Sequence, residues 1–305
     1  MPQSSSFNSP FHFESLATFD AHFESAESQW QQSGVYVCVA KHPTSLSTQH
    51  SLIIHIAIKR PQVRNALDLD TMKALAASLV VCQKFDQEQR LLAVIVSGCK
   101  NYFIAGGDLK ALHQIRGYEQ AKAMSKLMFD HLEILSNLSC ISFAAIEGFA
   151  IGGGAEIALA CDVRVMSNKA YWLFPQVTLG LSSGWGGAKR LTQIVGASRA
   201  LAIFLEAERI KADVAYQLGL SQILCEPQQC ENHILQLLYT IADHQQAIMS
   251  IKHLVQVTTQ QPHSYALQEQ DHFATLWSSE AHWQQVQKFW KNKELKGKNK
   301  GQNKE

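Results

Sequence analysis

An α/β fold with a helical C-terminal third is predicted by three features of this 305-residue chain. Two near-continuous apolar runs, LLAVIVSG and ISFAAIEG, have the length and β-branched content of strands buried on both faces. Between them lie stretches with apolar residues three and four apart, the period of an amphipathic helix. Beyond residue 228 the helical pattern continues without further strands.

In chain order, residues 1–34 are Ser-, Phe- and Gln-rich and lack a sustained period; they read as a variable extension with one short helix around Phe19 to Trp30. GVYVCVA and SLIIHIAIK form a strand pair across a polar turn region. LDLDTMKALAASLVVCQKF is an amphipathic helix, LLAVIVSG a central strand ending in Gly98, and QAKAMSKLMFDHLEILSNL a long helix. ISFAAIEG then runs at once into three glycines and a helix beginning near Gly154. DVRVMS is a short strand, GWGGAKRLTQIVG and SRALAIFLEAE are helices, and IKADVAYQLG is a helix with Gly219 as its C-terminal stop. A long helix is expected over 229–260 and a shorter Trp-rich one over 277–290. The expected organisation is an extension (1–34), a core (35–228), a helical region (229–290) and a basic, frayed tail (291–305).

The composition narrows the function classes. At 46% hydrophobic the chain can bury a full core, and a formal net charge of +1 gives no electrostatic reason to expect a nucleic-acid partner. The charge is uneven: residues 1–32 hold four acids and no Lys or Arg, whereas 291–305 hold six lysines and two glutamates. A solvated tail explains that basic end better than a binding arm. The seven cysteines show no C-x-x-C pair, and the N-terminus lacks a basic and apolar leader pattern. No apolar run approaches the ~18 residues of a membrane span. These features lead us to expect a cytoplasmic protein with reduced thiols and no membrane partner. The thirteen histidines show no metal-ligand spacing, and His55, His113 and His131 read as surface or structural residues.

Two glycine-rich segments follow strands. Gly152, Gly153 and Gly154 at a strand-to-helix junction permit close backbone approach and leave free N–H groups at a helix start. A tight turn under close helix packing explains the triplet equally well. The dinucleotide and phosphate-loop spacings are absent. Glu156 lies in an otherwise apolar helix, where a carboxylate is costly unless paired or used; capping the helix start is its plainer role. The second segment, YFIAGGD, places Gly106 and Gly107 beyond a strand's carboxyl end, where sites in α/β folds collect. Asp108 is best read as the cap of the helix that follows.

Taken together, RPQVRNALDLDTMKAL, YFIAGGDLKAL, IEGFAIGGGAEIALACDVRVMS, LGLSSGWGGAKRL and AYQLGL resemble the crotonase, or enoyl-CoA hydratase/isomerase, superfamily over about residues 52–228. The resemblance implies a crotonase-like ββα spiral core and an acyl-CoA thioester as substrate, with coenzyme A as part of that substrate and no further cofactor or metal. It places two enolate-stabilising N–H donors at Gly107 and Gly153 and an acid/base at Glu156. Arg64 to Ala66, Ala105, Gly106, Asp108 and Leu109 then fall along the CoA portion, and Trp185 is a pocket-wall or core aromatic. It also implies a homotrimer or dimer of trimers. In that setting Trp283, Phe289 and Trp290 face a partner or their own core, while for Lys288 and Lys291 a solvated face is a better explanation than approach to a CoA phosphate.

One departure matters. The family's second glutamate falls where this chain has Gln176, an amide that can orient water or a carbonyl but cannot titrate. A hydratase, isomerase or related lyase is the leading expectation. IEGFAIGGGAE and SSGWGGAKRL are also similar to ethylmalonyl- and methylmalonyl-type acyl-CoA decarboxylases, whose chemistry needs no strong base. A non-catalytic acyl-CoA binding or assembly module is the third reading.

Overall fold

The structure, a computed structural model, describes residues 28–41, 52–241, 245–257, 270, 273–280, 282–284 and 286–292. Its main sheet has seven strands: β1 (Ser28–Gln32), β2 (Val35–Lys41), β3 (Leu52–Ile58), β4 (Leu91–Ser97), β5 (Ile141–Ile146), β7 (Val163–Ser167) and β10 (Ile223–Cys225), in spatial order β1-β2-β3-β4-β5-β7-β10. β1, β2 and β3 pair antiparallel, and every pairing from β3 onward is parallel. The apolar run LLAVIVSG takes the middle, and all seven residues of β4 are buried. Alternate side chains serve opposite faces. Ile54, Ile56, Val94 and Val96 meet Met72, Leu75 and Leu79 of α1 (Leu69–Gln87) and Met128 and Leu132 of α3 (Tyr118–Asn137). On the other face Ile53, Ala93, Ile95 and Phe143 meet Cys230, Ile234 and Leu238 of α8 (Cys230–Ile241).

The helices begin where their sequences provide caps. Asp68 accepts a hydrogen bond from the Thr71 backbone N–H (2.8 Å) at the start of α1, and Asp108 accepts one from Ala111 (3.2 Å) ahead of the short α2 (Leu109–Leu112). Gly219, with φ +75°, closes the turn after α7 (Ala212–Gln217) as expected. Lys252 pins α9 (Gln245–Val257) to the sheet: its buried Nζ donates to the Cys140 carbonyl (2.7 Å) and pairs with Asp162 (2.6 Å).

Two elements differ from the sequence reading. Residues 28–30, expected at the end of a short helix, are strand, because β1 supplies hydrogen-bonding partners to the otherwise open edge of β2, with Trp30 opposite Val37. The rest of that expected helix, residues 19–27, lies outside the described residues. The Trp-rich helix of 277–290 is divided at Ser278 and Ser279, which leaves Trp277 in the preceding helical stretch, 273–277. Ser279 Oγ accepts from the His282 N–H (3.2 Å), an N-cap contact that starts the second stretch. Over 229–260 the described residues are helical at 230–241 and 245–257. The polar region 42–51 and the tail 293–305 lie outside the described residues.

A second sheet of three short strands, β6 (Phe149–Ile151), β8 (Tyr171–Leu173) and β9 (Ile210–Lys211), stands beside the first in the order β6-β8-β9. It leads directly into α4 (Gly153–Ala160), and with it the two glycine segments come together. Among the described residues, no helix is long and apolar enough to cross a membrane.

Candidate active site

Backbone pairing joins the two glycine-rich segments. Ile104 bridges to Ala150 and Leu67 to Gly107, with the Ile151 N–H donating to the Ile104 carbonyl at 3.1 Å. Gly106 adopts φ +87°, and a Cβ on it would lie 2.8 Å from the Ile151 carbonyl oxygen and 3.0 Å from the Gly153 nitrogen, so only glycine fits. Gly152, at φ +53° and ψ −119°, turns the chain from β6 into α4. The N–H of Gly152 donates to the Leu173 carbonyl (2.9 Å), and that of Asp108 to the Leu67 carbonyl (2.8 Å). Those of Gly153 and Gly107 donate to no protein group among the described residues.

Asn65 stiffens the first segment. Fully buried, it donates from Nδ2 to the carbonyls of Cys99, Tyr102 and Phe103 at 3.0–3.1 Å and accepts from the Arg60 N–H at 3.0 Å. Arg60 in turn donates to the Ala66 carbonyl and reaches Asp68 (2.7 Å) and Asp108 (3.6 Å).

Glu156 lies one turn into α4 and is only 3% exposed. Its Oε2 accepts three hydrogen bonds, from Ser183 Oγ (2.9 Å), the Trp185 N–H (2.7 Å) and the Gly187 N–H (2.8 Å). Its Oε1 accepts one, from Gln176 Nε2 at 3.1 Å. Gly187 begins α5 (Gly187–Val195), so the carboxylate also sits at the positive end of that helix. An ionised carboxylate only accepts, which fixes the orientation of Gln176: nitrogen toward Glu156, oxygen away. Gln176 Oε1 is buried and has no hydrogen-bond partner among the described residues.

These groups border one cavity of about 420 Å³. Gly107, Gly153, Glu156, Gln176 and Trp185 line it, together with Arg64, Ala105, Gly106 and Leu109. Ala66 and Asp108, expected along the substrate, do not. The carbonyl of Ala66 is taken by Arg60, and the Asp108 side chain is turned into its cap and toward Arg60. Lining residues that were not anticipated include Tyr171, Arg209, Phe273 and Trp277. The Arg209 guanidinium stacks over the Tyr171 ring at 4.6 Å.

The model of the family described as enoyl-CoA hydratase/isomerase matches residues 48–298. The chain belongs to that family. It is 36% identical over 180 residues to a short-chain-enoyl-CoA hydratase from Clostridium acetobutylicum, covering 58% of this chain and 67% of the other. It is 31% identical over 254 residues to an ethylmalonyl-CoA decarboxylase from Xenopus tropicalis, covering 81% and 83%. Among solved structures, an enoyl-CoA hydratase from Bacillus anthracis superposes with a TM-score of 0.65 at 25% identity, over 84% of this chain and 96% of that one. The fold is the crotonase fold and the protein an enzyme of that family.

Other expectations for this family member can be placed in the structure. Trp283 is buried within its own chain, Trp290 packs partly buried on the core, and Phe289 lies half-exposed on the cavity. Lys288 and Lys291 are exposed. The three named histidines make local contacts, His55 to Ser97 Oγ (2.7 Å), His113 to the Lys110 carbonyl (2.8 Å) and His131 to the Leu127 carbonyl (2.7 Å). All seven cysteines are free, and burial pushes the Cys161 thiol up to about 12.

Proposed function

We propose that this enzyme adds water reversibly to an enoyl-CoA thioester, with Glu156 as its only proton carrier and Gln176 placing the water. The reading rests on one observation: among the described residues Gln176 Oε1 is a buried acceptor without a donor, on the same amide whose nitrogen donates to Glu156 Oε1. A water molecule supplies two donors. One hydrogen to each of these oxygens turns the water's lone pairs toward an electrophilic carbon.

The step balances with one carboxylate. Glu156 takes a proton from the water as the hydroxyl oxygen bonds to the acyl β-carbon. The electron pair of the double bond moves onto the thioester oxygen, and Glu156 returns the proton to the α-carbon. The N–H groups of Gly107 and Gly153 hold the oxygen as it gains charge; one such preorganised donor is typically worth about 10²–10³ in rate. Arg64, Ala105, Gly106 and Leu109 line the CoA portion. Coenzyme A arrives with the substrate, and the reading calls for no further cofactor. It takes the cytoplasm as the compartment and a homotrimer or dimer of trimers as the assembly. The exposed apolar pairs Leu235 and Tyr239 on α8, and Ile251 and Val255 on α9, support self-association.

Decarboxylation of a malonyl-type acyl-CoA is the second reading. It is favoured by the longer alignment with the Xenopus tropicalis ethylmalonyl-CoA decarboxylase. Against it, a substrate carboxylate carries no donor for Gln176 Oε1 and approaches the negative charge of Glu156. Crotonyl-CoA and ethylmalonyl-CoA separate the readings: 3-hydroxybutyryl-CoA supports hydration, and carbon dioxide release supports decarboxylation.

A further inference from the structure

Trp185 is fixed at both its backbone and its ring. The backbone N–H donates to Glu156 Oε2 at 2.7 Å. The indole lies so close over Gly153 that any side chain there would overlap its six-membered ring. Behind it, Gly184 leaves room for the ring of Phe273, which stacks on Trp277 with centroids 5.3 Å apart. Trp277 is locked in turn: its indole N–H donates to the Ile115 carbonyl, and its ring meets Trp283 edge-on at 5.7 Å. Trp185, Phe273 and Trp277 are 3–6% exposed, and all three border the cavity.

From this arrangement we propose that Trp185, backed by Phe273 and Trp277, forms the closed end of the acyl pocket and restricts the enzyme to short-chain acyl-CoA thioesters. The inference rests on the acyl-CoA reading above. On that reading the N–H groups of Gly107 and Gly153 hold the thioester oxygen, so an indole lying on Gly153 stands next to the acyl carbons that follow. Glu156 and Gln176 occupy the adjoining wall. An indole packed on Gly153, in a cavity wall continued by the stacked rings of Phe273 and Trp277, does not yield to an extra methylene, because overpacking a filled interior forces off-rotamer side chains. A hydrophobic pocket discriminates by about tenfold or more per methylene.

The test is a binding ladder of butyryl-, hexanoyl- and octanoyl-CoA, which cannot react, run beside turnover of the matching enoyl thioesters. Wild type should bind octanoyl-CoA at least about tenfold more weakly than butyryl-CoA. In Trp185→Ala that ratio should fall at least tenfold, and Trp185→Phe should lie between. Phe273→Ala, which leaves the contacts of Glu156 untouched, should shift the ratio the same way and carries the test if Trp185→Ala does not fold. A wild type indifferent to chain length, or folded variants with the wild-type ratio, overturns the proposal. A chain-length ladder in binding without turnover of any enoyl thioester sinks the hydration reading and leaves the wall standing. Failure to bind butyryl-CoA sinks both.

Discussion

Gln176 Nε2 donates to Glu156 Oε1 across 3.1 Å, so the negative charge of the acid orients the amide that faces it. Among the described residues the amide oxygen is left as a buried acceptor without a partner. An enzyme that needs water at a defined spot gains an unmet acceptor there, and loses the second proton carrier that a carboxylate would supply.

Gln176→Leu removes the acceptor while keeping similar bulk. Hydration of crotonyl-CoA should fall about 10–100-fold in kcat with little change in butyryl-CoA affinity, since the lost contact is to water. Gln176→Glu should add a second ionisation to the pH–rate profile, because two carboxylates at hydrogen-bonding distance resist sharing full charge. Stopped assays from pH 5 to 9 check both variants, and identical profiles for wild type and Gln176→Glu would count against the pairing.

Ser183→Ala takes one of three donors from Glu156 Oε2. A hydrogen bond to a buried charged group is worth about 1.5–3 kcal/mol, so urea denaturation should show a loss in that range. Ser183 Oγ also accepts from the Ala188 N–H (2.9 Å), so the start of α5 should loosen with it.

Lys252→Met leaves Asp162 without its cation, although the Ser142 N–H and hydroxyl still donate to it. Breaking a buried ion pair on one side costs about 3–5 kcal/mol; the retained donors favour the lower end. The same urea titration measures it, and an unchanged midpoint would show that α9 docks without this pair.

Mild acid should destabilise the fold through two histidines. Burial lowers His55 below its ordinary 6.5, against a rise from Glu231 and with a further lowering from Lys59; burial also lowers His282, opposed by its hydrogen bond to the Leu179 carbonyl. Both folded values lie below the unfolded one, so their contribution is fully present above pH 6.5 and is lost as pH falls toward the folded values. Melting temperatures should drop between pH 7.5 and 5, and His282→Phe should flatten that slope.

Much of this was legible in the sequence. LLAVIVSG and ISFAAIEG declare buried strands because both of their faces are covered, and the glycines at 106–107 and 152–154 mark the two backbone segments that meet. Local patterns could not reveal what arises between distant segments. Three donors reach Glu156 Oε2 from 27 to 31 residues away, two of them backbone N–H groups that any residue type carries. Asn65, expected only as part of the Arg64 to Ala66 stretch along CoA, is tied instead to three distant carbonyls that its local sequence does not announce. The strand at Ser28–Gln32 exists because β2 offers an edge, not because QWQQ has strong strand character.

The central claim is that Glu156 alone carries the proton on an enoyl-CoA thioester. Its most direct test is the hydration of crotonyl-CoA by Glu156→Gln, measured alongside butyryl-CoA binding to the same preparation. In this variant kcat should fall about 10²–10⁴-fold with affinity nearly unchanged. A variant that binds normally and hydrates at the wild-type rate would contradict it.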